Sequence, residues 1–309
     1  MPKPDGGLRE LELQCIPDRL IAFRLHRVLM PFFNQSLPGP TRSNWALYAE
    51  LEQQIETRNQ YCIVTDDIAN CFPWAPIEPT LECHRQIINN PDLLWLIETV
   101  IRGHKGQNRT TGLCQGSRYS PAALEFLLHN HLDTLLSAEY RGSRTLYRYV
   151  DNLLIVCNNE HDCRQAIQSA EEHLSERGFQ LKHNEGPPED IRDNTRRKIL
   201  GVIPRWQNGK LHFTIPEDAF QKLETSLNAA TLSSHPLSRV QNVTKDWLSA
   251  YGPALVAQTV RDVVNKVINL CRNSGFVEIT HRNLSQTAAE AYQRWQELRS
   301  TVRTSPDRN

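Results

Sequence analysis

Two acidic residues close a short apolar run. Tyr61-Cys62-Ile63-Val64-Thr65 reads as a buried β-strand, and Asp66 and Asp67 follow it directly. Far along the chain, Asp151 and Asn152 stand between two β-rich runs inside 146–157. An Asx-Asn pair in that setting signals a tight hairpin, because both residue types tolerate left-handed backbone. A strand end and a hairpin tip can be neighbours in one antiparallel sheet, which would bring Asp67 beside Asp151. Paired carboxylates at a sheet edge are the hard oxygen donors that Mg²⁺ takes, usually one or two of them completed by substrate phosphates. Two such ions activate a hydroxyl nucleophile and stabilise the leaving oxygen of an in-line phosphoryl transfer. Taken singly, each residue has a simpler role, Asp67 as the cap of a following helix and Asp151 as a turn former.

The elements that must position these residues follow from hydrophobic periodicity. Helical spacing runs over 20–33, 44–58, 77–88, 91–101, 121–136 and 161–177. Strand patterns cover 61–65, 146–157, 199–206 and 210–215, the last two joined by Asn208-Gly209, a strong hairpin signal. From Pro216 onward the pattern is helical: 216–229, 239–251, 253–271 and 283–300, with Gly252-Pro253 as a break and a frayed tail from 301. Prolines at 38, 40, 187, 188 and 216 mark joints. Mixed elements followed by helices alone predict an α+β core with an all-helical appendage.

Composition excludes several classes. Lys plus Arg and Asp plus Glu are 35 each, so the net charge is zero, and 39% hydrophobic with 23% charged residues is an ordinary globular balance. No apolar run reaches the ~20 residues of a membrane span, and the first residues are polar, unlike a signal peptide. The eight cysteines form no C-x-x-C pair, which argues against a zinc site or disulfide scaffold and for a reducing, cytoplasmic setting without membrane partners. Charge is locally uneven. Arg102, Lys105, Arg109 and Arg118, then Arg141, Arg144 and Arg148, then Arg192, Arg196, Arg197 and Lys198 form small basic patches that can meet phosphates or simply be solvated loops.

The ordered set of motifs resembles the reverse transcriptases, specifically the bacterial type of group II intron maturases, retrons and phage-defence systems. Pro2 to Arg9 (PKPDGGLR) is similar to the opening fingers block, and Asp18-Arg19 with its helix to the next. Thr65 to Phe72 (TDDIANCF) resembles the first palm motif. Gly112 to Pro121 (GLCQGSRYSP) resembles the G-L-P-Q-G-S-x-x-S-P block, and Tyr149 to Asn152 (YVDN) the Y-x-D-D block. Arg177 to Lys182 and Ile199 to Gly201 resemble the two blocks that follow. The resemblance covers about residues 2–215, with a thumb to be expected after it.

The resemblance implies a right-hand polymerase of α+β class: partial fingers over 1–60, an antiparallel-sheet palm over 61–215 with an inserted fingers segment near 85–115, a helical thumb over 216–300, and a tail over 301–309. Asp67, Asp151 and Asn152 would be the catalytic positions, with Asp67, Asp151 and the carbonyl of Ile68 holding two Mg²⁺ ions, or Mn²⁺ in their place. Lys3 and Arg9 would grip the incoming triphosphate, Phe72 would exclude a 2′-hydroxyl or else belong to the core, and Gln115 and Gly116 would lie against nucleotide and template. Ser120 and Pro121 would open a helix as cap and first-turn residue, and Leu200 and Gly201 would form the primer grip. The activity implied is RNA-directed DNA polymerisation. Its partners would be an RNA template, a DNA or RNA primer and dNTPs, with a noncoding RNA or accessory protein as further partners.

The chain also departs from the family pattern. Asn152 replaces the second Asp of Y-x-D-D, keeping an oxygen but losing a charge. The Lys usual after that block aligns with Glu185 or Gly186, with Lys182 a few residues early. The chain opens just before the Lys3 block, without the upstream fingers extension, as expected of a compact enzyme or of a truncated chain, and no endonuclease region is expected after the thumb. Gln115 and Ser120 are the ordinary pattern and speak against the diversity-generating branch. Two alternative activities stand beside templated synthesis: untemplated or protein-primed DNA synthesis, and a catalytically impaired RNA-binding scaffold.

Overall fold

The computed structural model describes residue 12 and residues 14–36, 43–140, 142–256 and 259–304. The chain forms two compact units, one of residues 1–42 and 62–188, the other of 43–61 and 189–309. In the first unit α1 (Ile16–Ser36) precedes β1 (Cys62–Asp67), α3 (Cys71–Trp74), α4 (Ile77–Ile87) and α5 (Pro91–Arg102). The chain then runs through α6 (Ser120–Leu128), α7 (Thr134–Tyr140), β2 (Arg144–Tyr149), β3 (Asn152–Cys157) and α8 (Glu160–Ser175). In the second unit α2 (Asn44–Arg58) is joined by β4 (Glu189–Asp190), β5 (Ile203–Gln207), β6 (Lys210–Thr214), α9 (Glu217–Ala230), α10 (Pro236–Ala250), α11 (Val260–Asn273) and α12 (His281–Thr304).

In the first unit, β2, β3 and β1 run antiparallel in that order, with Cys62 opposite Cys157 and Asp67 opposite Asn152. The apolar residues of β1 and β3 are buried on both faces, as Ile63, Val64, Leu154, Ile155 and Val156 show. Helices therefore cover the sheet, and α6 with its buried Ala123, Leu124 and Leu127 packs into the same core. A buried polar chain crosses that core. The Nδ1–H of His84 on α4 donates to the Thr80 carbonyl at 2.7 Å, and its Nε2 accepts from the Tyr119 hydroxyl at 2.8 Å, which fixes the tautomer. The rings of Phe33 and Phe126 pack against the imidazole.

Burial pushes the His84 pKa down to about 4 from an ordinary 6.5. Between those values the unfolded chain binds a proton that the folded chain refuses, so stability falls as pH drops through that window. The total loss is expected to be about 3 kcal/mol. Denaturant midpoints from pH 7 to 4 measure it. His84→Gln, which cannot titrate, is expected to flatten that part of the profile, and an unchanged slope would refute the assignment.

The second unit is built on α2 and the C-terminal helices. Tyr48 of α2 packs on Phe213 of β6 at 5.1 Å, while Trp295 of α12 meets Trp45 and Phe213 edge-on. A Cβ on Gly252 would come within 2.5 Å of the Trp45 ring and 2.7 Å of the Ala291 carbonyl, so only glycine fits there. The buried carboxylate of Glu52 is held by Arg299 and Arg303 of α12. Compactness thus groups residues 44–58 with the C-terminal helices and cuts the chain at Pro187-Pro188, away from the linear boundaries at 60 and 215.

The sequence reading meets the structure closely at several elements. The predicted helix 44–58 has those bounds, with Ser43 capping it through Ala46 N–H and Asn59 ending it in left-handed backbone. Asn208 and Gly209 both take positive φ in the β5–β6 turn, as expected of that dipeptide. Two expectations are corrected. The helix predicted over 253–271 starts only at Val260, because Gly252–Ala254 winds as a 3-10 turn. The tail predicted from 301 is helical through Thr304, held by Arg303 on Glu56; residues 305–309 lie outside the described residues.

Candidate active site

The site grows from the end of β1. Asp67 faces Asn152 across the ladder, and one residue on, Ile68 N–H donates to the Asp151 carbonyl at 2.8 Å. On the other side, Ile68 bridges to Leu181, Ala69 N–H donates to Gln180, and Lys182 N–H donates to the Asp67 carbonyl at 2.9 Å. The end of β1 therefore lies between the β2–β3 turn and the strand-like segment 180–182, and main-chain pairing brings Asp67 and Asp151 to the same end of the sheet.

The turn that carries Asp151 differs by one residue from the expectation. Tyr149 pairs with Asn152, so the two turn residues are Val150 and Asp151, and Asn152 is the first residue of β3. Val150, not an Asx residue, takes left-handed backbone at φ +58°. For a β-branched side chain that conformation costs about 1–2 kcal/mol. The Asn152 amide donates to Asp151 Oδ1 at 3.2 Å and, more weakly, to the Tyr149 carbonyl at 3.4 Å. An aspartate could not make these bonds.

Lys182, a few residues before the position the motif alignment points to, lies at the end of β1. Lys182 Nζ binds Asp67 Oδ2 at 2.7 Å. Burial opposes its charge, but the carboxylates of Asp67, Asp151 and Glu185 prevail and hold its pKa above the ordinary value. A cation thus already sits against Asp67, and the donors there are oxygen. That donor set fits Mg²⁺, which completes its sphere with water and substrate phosphates. Among the described residues no group of three or more His, Cys, Asp or Glu side chains is arranged to hold a metal.

Asp66 has a different role from its neighbour. It is buried, accepts from Asp67 N–H at 2.8 Å and from His183 N–H at 3.1 Å, and thereby pins segment 181–183 to β1. Sequence reading singled out the doublet but not this division of labour.

Beside this lies the Gly112–Pro121 segment. Leu113 N–H donates to the Phe72 carbonyl at 2.8 Å, and Gly112 at φ +90° lets the segment approach Pro73 of α3. Phe72 is half-buried and packs against the core. Gln115 accepts from Glu12 N–H through its carbonyl at 3.1 Å, and Gly116 is exposed at φ +118°. Ser120 is not the expected cap. It is the first helical residue of α6, buried, and it makes no capping bond; Ser117 Oγ accepts from Tyr119 N–H instead. Lys3 and Arg9 lie outside the described residues. In the second unit, Leu200 and Gly201, at φ +48° and +99°, form a two-residue turn between Ile199 and Val202, with Tyr48 Oη donating to the Leu200 carbonyl at 2.8 Å.

The basic patches divide: Lys105, Arg118, Arg192, Arg196 and Lys198 are exposed, as expected of solvated loops, whereas four arginines are not. Arg102, Arg109, Arg148 and Arg197 are buried against Glu98, Glu12, Glu125 with Asp133, and Glu189 respectively. Their charges hold loops together and are unavailable to phosphates. In sequence they are indistinguishable from surface arginines, since the partners are distant.

Comparison with known proteins bears on this geometry. No curated protein sequence matches the chain. Among solved structures, the sicinivirus 3Dpol RNA-dependent RNA polymerase aligns at 14% identity with TM-score 0.51, over 83% of this chain and 54% of that one. Telomerase of Candida tropicalis aligns at 12% identity, as the apo form with TM-score 0.48 over 92% and 61% of the two chains. Bound to a fragment of telomeric RNA, it aligns with TM-score 0.46 over 93% and 57%. The chain spans less than two thirds of the length of each of these. At such identity the polymerase likeness is one of fold, and the fold is the α+β right-hand polymerase. Among the described residues no helix is long and apolar enough to cross a membrane. The family model for reverse transcriptase (RNA-dependent DNA polymerase) matches residues 1–184. With more than half of its length so matched, the chain belongs to the reverse transcriptase family of polymerising nucleotidyltransferases.

Proposed function

We propose that this chain extends a primer with dNTPs on an RNA template by two-metal phosphoryl transfer, as part of a bacterial retroelement or phage-defence system. The observation that carries the reading is that main-chain pairing brings Asp67 and Asp151 to one end of the sheet, with the Lys182 ammonium on Asp67. Asp67 and Asp151, with the Ile68 carbonyl, would hold two Mg²⁺ ions, or Mn²⁺ in their place; when bound, these ions activate the primer hydroxyl and neutralise the leaving pyrophosphate. Asn152 orients the Asp151 carboxylate. Lys182 neutralises Asp67 and, once a metal ion takes its place there, would turn to the phosphates of the incoming nucleotide. Gln115 and Gly116 would support nucleotide and template, and Leu200 and Gly201 the primer. The domain roles are fingers for the N-terminal part, palm for the sheet and its helices, and thumb for the C-terminal helices. Cytoplasmic localisation belongs to the same reading, as does a noncoding RNA or accessory protein as partner.

Primer extension on an RNA template, with dNTPs against NTPs and in Mg²⁺ and Mn²⁺, tests it; absence of any metal-dependent product from the chain and from Asn152→Asp sinks it. One feature favours a second reading. Asn152 places an amide where the family has a charge, which supports a catalytically impaired RNA-binding scaffold. That reading requires salt-sensitive RNA binding without turnover. Sequencing the product separates templated from untemplated or protein-primed synthesis.

Phe72 carries a further expectation. If its ring meets the sugar, Phe72→Ala is expected to raise the NTP-to-dNTP ratio of kcat/KM by about 10- to 100-fold. An unchanged ratio with lowered thermal stability would assign Phe72 to the core alone.

A further inference from the structure

Arg148 immediately precedes the Tyr149–Asn152 segment, yet its guanidinium never leaves the interior. Nε donates to Asp133 Oδ1 at 2.8 Å, and Nη2 to Asp133 Oδ2 at 2.6 Å and Glu125 Oε1 at 2.7 Å. Nη1 donates to Glu125 Oε2 at 2.7 Å and to the Val150 carbonyl at 3.0 Å. All five N–H donors of the guanidinium are engaged within the protein, and the side chain is 3% exposed. None remains for a nucleotide phosphate. Both carboxylates belong to the helix opened by the Gly112–Pro121 segment, Glu125 in α6 and Asp133 in the π turn that separates α6 from α7. In an uninterrupted α-helix these two positions would diverge by about 80° around the axis; absorbing one residue in a π turn brings them to within about 20°. The π turn is what lets both carboxylates close on one arginine.

We propose that Arg148 is a positioning residue for Asp151. Clamped by Glu125 and Asp133, it holds the Val150 carbonyl and so keeps the left-handed Val150 turn that presents the Asp151 carboxylate to Asp67. The proposal rests on the reading of Asp151 as a catalytic carboxylate. It explains why a β-branched residue is tolerated where glycine is the default: the guanidinium secures the turn from inside. It also couples the helix behind Gln115 to the turn bearing Asp151 through one rigid group.

The test compares the full chain with Arg148→Met, Val150→Gly and the double variant R148M/V150G. The readouts are kcat, the dNTP KM, primer–template affinity by fluorescence anisotropy, and Mn²⁺ binding by electron paramagnetic resonance. Arg148→Met is expected to lower kcat by about 30-fold or more, with KM and primer–template affinity within about twofold, and to weaken Mn²⁺ binding. Val150→Gly, which takes the turn without strain, is expected to return about threefold or more of that loss. A kcat within about twofold of the parent, or a loss that Val150→Gly leaves untouched, overturns the proposal. Arg148→Met strands two half-buried carboxylates, so R148M/E125Q/D133N carries the same readouts if the single variant does not fold. If the parent chain extends no primer, the catalytic reading of Asp151 falls, and Mn²⁺ binding still decides the clamp: equal affinity in parent and variant refutes it.

Discussion

Asp67→Ala and Asp151→Ala are each expected to lower primer extension by about three orders of magnitude or more, a barrier increase of about 4 kcal/mol, while primer–template affinity stays near that of the parent. Each removes one of the two acidic residues that main-chain pairing brings to the end of β1. Neither is expected to unfold the chain. Asp67 keeps its place through the β1–β3 ladder and the Lys182 N–H bond to its carbonyl, and Asp151 through the Ile68 N–H bond, all of them main-chain contacts. Removing Asp67 also frees Lys182, whose ammonium is otherwise held at 2.7 Å. Single-turnover extension on an RNA template, with anisotropy for binding, checks the prediction. Activity within tenfold of the parent for either variant would remove that carboxylate from the reaction.

The largest stability effect is expected in the second unit. Trp295 is 3% exposed and meets Trp45 and Phe213 edge-on at 6.4 and 6.1 Å. Trp45 is itself fixed by its indole N–H on the Ala250 carbonyl at 3.0 Å and by contact with Gly252. The surroundings are thus held from several sides and cannot collapse into the space an indole leaves. Trp295→Ala is expected to cost about 3–5 kcal/mol, which lowers the melting temperature of this unit by about 10 °C. Calorimetry resolves it, and a shift of only a degree or two would show that the cluster repacks. Because Asp67 and Asp151 belong to the other unit, Trp295→Ala is also expected to separate thermal stability from Mn²⁺ binding at low temperature.

Much of this molecule was legible along the chain because the relevant physics is local. The helix over 44–58 announces both its ends, through Ser43 as cap and Asn59 as left-handed stop. Asn208-Gly209 dictates its turn since only such residues accept two successive positive φ values cheaply. The apolar run ending in Asp66-Asp67 and the hairpin around Asp151 were recognisable for the same reason, and with them the motifs that resemble a polymerase palm. The reading was off where a local rule had a distant competitor. Val150 rather than an Asx residue bears the left-handed turn, because Arg148 with Glu125 and Asp133 secures it. Ser120 does not cap α6, because Tyr119 and Ser117 occupy that end of the helix.

What the sequence by itself determined is therefore the inventory: which residues could bind a metal, where strands and helices lie, and the order of the motifs. Tertiary structure decided which of them meet. Lys182 reaches Asp67 only because Ile68 bridges to Leu181, a pairing set by sheet register. Arg102, Arg109, Arg148 and Arg197 became interior clamps only because their carboxylate partners arrive from other elements. Propensity and periodicity act over a few residues, whereas burying a charge is decided by the partners that packing delivers to it.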